Sequence, residues 1–187
     1  MSKLPKALLM GFVLIVAVRH MDCQAADAKL WKPASYHGLV MGKSTDTDVR
    51  TVLGKPESTG KEEDTGDPIL VYKTSDPAPG MLNVYIHKGI LSSMDLQLSK
   101  SMSQRDLIRL LGNKYVIAHY SFDECLDDGE DGVPVYEDPN GQLTHIEYRD
   151  RGIWAPLDPG GSAEEIVFIS KSLIPTHSLC KGSNKKK

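Results

Sequence analysis

Thr45-Asp46-Thr47-Asp48-Val49-Arg50-Thr51-Val52-Leu53-Gly54 and Ser103-Gln104-Arg105-Asp106-Leu107-Ile108-Arg109-Leu110-Leu111-Gly112 are two copies of one pattern, (S/T)-x-x-D-(V/L)-x-x-(V/L)-L-G. Each fixed position has a helical reason. Thr45 and Ser103 suit an N-cap, and Asp48 and Asp106 three residues on can return a bond to the cap and complement the positive end of the helix dipole. Val49, Val52 and Leu53, like Leu107, Leu110 and Leu111, recur at i, i+3, i+4 and predict one buried stripe per helix. Gly54 and Gly112 supply the positive-φ residue that ends each helix. Two short amphipathic helices are expected.

After each helix the period changes to two, which marks strands. The first unit reads as strands over 69–73, 82–87 and 91–98, with Lys88-Gly89 as a hairpin turn. The second reads as strands over 115–120, 133–136, 143–149, 152–156 and 165–170. The polar stretches 57–68 and 123–132 read as loops. The expected fold is therefore α+β: two tandem helix-plus-antiparallel-meander repeats, 29–100 and 101–180, sharing one sheet with the helices packed on one face.

The chain has 187 residues, 40% hydrophobic and 25% charged, enough for one ordinary domain or two small ones. Its net charge of −3 lacks the basic footprint of a nucleic-acid binder, so no nucleic-acid partner is expected. At the start, Lys3 and Lys6 precede an apolar run over 7–18 and a segment ending Ala26-Asp27-Ala28, the layout of a signal peptide over residues 1–28. The apolar run falls short of the roughly 20 residues that a spanning helix needs. Cleavage after Ala25 or after Ala28 fits, and the acid at Asp22 argues against lipidation of Cys23. An exported, mildly acidic chain, periplasmic or extracellular, is expected.

Export leaves Cys125 and Cys180 in an oxidising compartment, where they can form one disulfide worth about 4 kcal/mol in the chain-entropy model; two reduced buried thiols are the alternative. The tail over 181–187 is basic and flexible in composition, and offers peripheral contact with anionic lipid or simple solubility.

The helix motif followed by strands resembles the small outer-membrane-lipoprotein domain of the BamE (SmpA/OmlA) type, whose hallmark is G-M-T-x-x-x-V-x-x-x-L-G-x-P. Thr45, Val49, Leu53, Gly54 and Pro56 match it in the first copy, and Met102, Ser103, Leu107, Leu111 and Gly112 in the second. The tandem arrangement is similar to the beta-lactamase-inhibitor-protein fold. The resemblance implies two repeats forming a continuous curved sheet, and a role in protein binding or in the cell envelope.

No nucleophile elbow, zinc-protease helix or phosphate loop is present. The acidic segment 123–132 places Asp127, Asp131 and Asp138 at calcium-loop spacing, but with Gly129 at a ligand position. His145 and Glu147 alternate on one strand face and could share zinc with a third ligand. Strand parity puts Leu82, Val84, Ile86, Met94, Leu96 and Leu98 on the core side. Tyr85, His87, Asp95 and Gln97 then face outward, joined by His145, Glu147 and Arg149, as a recognition surface for a protein partner. The leading expectation is a non-enzymatic, cofactor-free binding domain. The alternative is a calcium- or zinc-dependent binding protein or hydrolase built on the acidic loop and His145/Glu147.

Overall fold

The structure, a computed structural model, describes residues 31–123 and 135–171. A short hairpin, β1 (Ser35–Tyr36) and β2 (Leu39–Val40), leads into helix α1 (Asp46–Leu53). Four strands follow: β3 (Ser58–Lys61), β4 (Pro68–Thr74), β5 (Gly80–His87) and β6 (Ile90–Ser103). Helix α2 (Gln104–Leu111) opens the second half, which continues as β7 (Val116–Phe122), β8 (Val135–Glu137), β9 (Leu143–Tyr148), β10 (Ile153–Leu157) and β11 (Ser162–Ile169).

The local signals act as the sequence implies. Thr45 caps α1 in a complete capping box with Asp48, Ser103 accepts from the Asp106 amide, and Gly54 and Gly112 close the helices at positive φ. Lys88 and Gly89 both take positive φ, the geometry that a two-residue hairpin needs to match strand twist.

The expected α+β arrangement of two helix-plus-meander repeats is overturned. The described chain is mostly strand, and its two helices have eight residues each. One nine-stranded antiparallel sheet runs β3-β4-β5-β6-β11-β10-β9-β7-β8. The second half is not a meander, because β7 pairs with β9 on one side and with β8 on the other. Two turns of helix are too short to form a layer: Val49, Leu107 and Leu111 are buried, but Val52 is 46% and Leu110 39% exposed, so each stripe is narrower than its spacing implied. The remaining cover on that face comes from the 34–41 segment, where Ala34, Tyr36, Leu39 and Met41 join Leu70, Leu82, Met94, Leu96, Ile146, Tyr148, Ile166 and Phe168 in one core.

Two further boundaries move. The stretch 57–68, expected as a loop, contains β3, an exposed edge strand paired with β4. Strand β6 runs through the expected boundary at 100/101 and is 14 residues long, pairing with β5 on one side and β11 on the other. The leader region 1–28, Cys125, Cys180, Asp127, Asp131 and the tail 181–187 lie outside the described residues.

Candidate functional site

Register assigns the side opposite the core. Tyr85 pairs with Ser93, Asn83 with Asp95, Gln97 with Glu165, Val167 with Trp154, Trp154 with Glu147 and His145 with Ala118, so these residues share one face across five strand pairs. Successive residues of a strand point to opposite faces, which separates this set from the core set.

A cavity of about 600 Å³ opens on this side. The β5–β6 hairpin contributes His87, Ile90 and Ser93, the end of β11 and the residues after it contribute Ile169, Ser170 and Lys171, and Trp31 and Trp154 stand in its walls. These are the only two tryptophans of the chain. Its volume falls within the roughly 300–1,000 Å³ usual for small-molecule sites.

Glu147 reaches the wall of this cavity as part of a buried polar group. It is only 1% exposed. The Tyr120 hydroxyl donates to Glu147 Oε1, and Arg149 Nε donates to Oε2 at 2.6 Å while Nη2 donates to Glu137 Oε1 at 3.1 Å. Burial opposes the Arg149 charge, but the hydrogen bonds and charges of Glu147 and Glu137 overcome it and hold the guanidinium above its ordinary value. Burial and the carboxylate partner likewise push the Tyr120 phenol up. A buried charge is tolerated only when paired and bonded in this way.

His145 lies between two rings, stacked on Trp154 at 4.5 Å and 22°, and against Tyr120 at 4.6 Å and 42°. Its Nδ1 is buried without a hydrogen-bond partner, and burial pushes the imidazole down to about 4. The ring is therefore neutral at pH 7.

Along the same face, Gln97 Nε2 donates to both Asp95 Oδ2 and Glu165 Oε2, each at 2.8 Å. Burial raises both carboxyl groups, and the charge of Asp95 adds to the effect at Glu165. At the cavity rim His87 Nδ1 meets Asp67 Oδ2 at 2.6 Å, a bond that holds the Asp67 carboxyl below its ordinary range.

The expected recognition residues thus separate into two groups. His87 and Gln97 are exposed on this face, and Tyr85 and Asp95 are half-buried beside them. His145 and Glu147, expected beside them in the open, are buried at 9% and 1% exposure, with Arg149 closing over Glu147; parity gave their side of the sheet correctly but carries no information about what covers it. The zinc reading of His145/Glu147 meets a carboxylate with both oxygens engaged and a histidine held between rings. No group of three His, Cys, Asp or Glu side chains placed to hold a metal occurs among the described residues. Asp138, the one described member of the calcium-loop set, accepts from Ser121 Oγ and the Asn140 amide.

Sequence spacing does not single out several residues of the site. Trp154 falls in an expected strand, and its scarcity in the composition was the available signal. Parity puts Glu165 on the side opposite Ile166 and Phe168, but its place beside Gln97 comes from the long-range pairing of β11 with β6. Nothing local marks Asp67, Tyr120 or Trp31, which are brought in by long-range pairing.

No protein-family model and no curated protein matches the chain. Two solved structures resemble it. One is a DUF4309 family protein (YjgB) from Bacillus subtilis, 15% identical, with 75% of this chain and 88% of that chain covered and a TM-score of 0.43. The other is an extracellular protein containing an SCP domain from Bacillus anthracis, 8% identical, with 68% of this chain and 43% of that chain covered and a TM-score of 0.39. Among the described residues no helix is long and apolar enough to cross a membrane.

Proposed function

We propose that this chain is an exported, non-enzymatic binding domain that holds an apolar ligand in the cavity walled by Trp31 and Trp154. Export rests on the leader pattern over residues 1–28. The single observation that carries the binding reading is that both tryptophans wall one roomy cavity whose buried carboxylate, Glu147, is already engaged by Tyr120 and Arg149. Such a site favours burial of apolar surface over the exchange of protons. Tyr85, His87, Asp95 and Gln97 continue the same face and, in this reading, form the outer contact surface for a partner protein.

The test is titration of the mature chain with N-phenyl-1-naphthylamine, a neutral apolar fluorophore, with excitation through the tryptophans. One saturable site per chain, abolished by Ile169→Glu in a protein that retains its melting temperature, is the expected result. Linear, unsaturable fluorescence, or saturation unchanged by Ile169→Glu, would overturn the reading.

A further inference from the structure

Resting on that reading, we infer that the cavity's ligand is a long-chain carboxylate, with its hydrocarbon between Trp31, Trp154 and Ile169 and its head group at Lys171 and His87. The walls determine the hydrocarbon part. Trp31, Ile90, Trp154 and Ile169 give an apolar interior, and a cavity of about 600 Å³ has room for a drug-sized or lipid-sized chain.

The charges around it determine the head. Three charged or titratable side chains line the cavity: Glu147, His87 and Lys171. Glu147 is already engaged at both oxygens, by the Tyr120 hydroxyl and by the Arg149 guanidinium, whose positive charge offsets its own toward an incoming head group. Lys171 is exposed at the rim and forms no ion pair among the described residues. His87 is held by Asp67 at Nδ1, which leaves Nε2 as the ring nitrogen on offer to a ligand. Ser93 and Ser170 add hydroxyl groups to the same lining. The Lys171 ammonium at the rim of an apolar chamber complements a single negative charge, and a cationic head of equal chain length would meet it unfavourably.

The experiment displaces N-phenyl-1-naphthylamine from the full mature chain with palmitate, hexadecanol and hexadecyltrimethylammonium, all below the concentrations at which they form micelles. Palmitate should displace the fluorophore at a concentration at least tenfold lower than hexadecanol, with the cation weakest. Lys171→Glu should bring the displacing concentrations of palmitate and hexadecanol to parity. Equal displacement by all three on the wild-type chain would overturn the head-group inference and leave the apolar-site reading standing. A palmitate preference that survives Lys171→Glu together with His87→Ala would also overturn it. Absence of fluorophore binding would remove the underlying reading and the inference with it.

Discussion

The Tyr120 hydroxyl donates to Glu147 Oε1, and on its way the phenol ring lies against the His145 imidazole, with 4.6 Å between ring centroids. The two residues are not cross-strand partners: Tyr120 pairs with Leu143 and Glu147 with Val116, so the bond runs diagonally across β7 and β9. One side chain thereby packs a neutral histidine and satisfies a buried carboxylate.

Tyr120→Phe keeps the ring against His145 and removes only the donor. It leaves Glu147 Oε1 buried without its hydrogen bond, at a cost of about 1–3 kcal/mol, toward the upper end because the acceptor is a charged group. Urea unfolding should show a lower midpoint with an unchanged slope. A change smaller than about 0.5 kcal/mol, the usual scatter of surface substitutions, would mean that the bond is not part of what holds β7 to β9.

His145 makes stability depend on pH with a definite sign. Burial holds it at about 4, against roughly 6.5 in an unfolded chain. Between those values the unfolded chain binds a proton that the folded chain does not. Stability is therefore complete above about pH 6.5 and falls as the pH drops toward 4, by at most about 1.4 kcal/mol per pH unit. The groups facing the ring are Tyr120, Trp154 and, on its own strand, Glu147 with its partner Arg149. His145→Phe retains an aromatic ring at this position, and its unfolding midpoint should vary less than that of the wild type between pH 6.5 and 4.5; parallel curves would refute the assignment.

Glu165 acts in the opposite sense. Its carboxyl is raised, first by burial and then by Asp95, so the folded chain holds a proton that the unfolded chain has lost, and stability falls as the pH rises through that interval. Glu165→Gln removes the second charge beside Asp95 and offers Gln97 an amide oxygen in its place. The variant should melt higher than wild type at pH 7 and show no gain at pH 3. A lower melting temperature at pH 7 would show that the acid pair is held by more than Gln97.

Gly152 tolerates no side chain. It sits at φ +63°, and a Cβ there would run into the backbone of Lys32, Ala34 and Ile169. Gly161, at φ +75° with open space around it, is the control. Gly161→Ala should cost on the order of 1 kcal/mol for the left-handed backbone alone, and Gly152→Ala distinctly more. The extra loss should appear as faster amide exchange at Lys32 and Ala34, whose N–H groups donate to Arg149 and Ile169. Equal costs would show that the 31–34 segment is not anchored there.

What the sequence revealed was what neighbours in the chain decide. The caps at Thr45 and Ser103, the stops at Gly54 and Gly112, the Lys88-Gly89 turn and the inward set Leu82, Val84, Ile86, Met94 and Leu96 all follow from spacing of a few residues. β3 escaped notice because Ser58-Thr59-Gly60-Lys61 is exposed at every position, so no alternation marks it. The order of β7, β8 and β9 depends on pairing between distant segments, which periodicity does not encode. At the site, parity assigned His145 and Glu147 to the right side of the sheet. Their burial comes from partners such as Tyr120, Trp154 and Arg149, and only the folded arrangement supplies these.

Strand β11 is the last strand of the described chain, yet it lies at the middle of the nine, between β6 and β10. Before it arrives, β6 has a partner on one side only, and the two halves have no strand pair in common. Closing the pair between Ser93 and Ile169 encloses about half of the described sequence in one loop, a long-range contact whose closure costs entropy. Refolding should therefore be slow, in the millisecond-to-second range of sheet proteins with distant pairings, and an edge such as the free side of β6 is where an incompletely folded chain would associate with another. The strand that joins the two halves also carries Ile169 and leads into Lys171, so the cavity, lined by His87 and Ile90 from the first half and Glu147 and Trp154 from the second, exists only once the halves are paired.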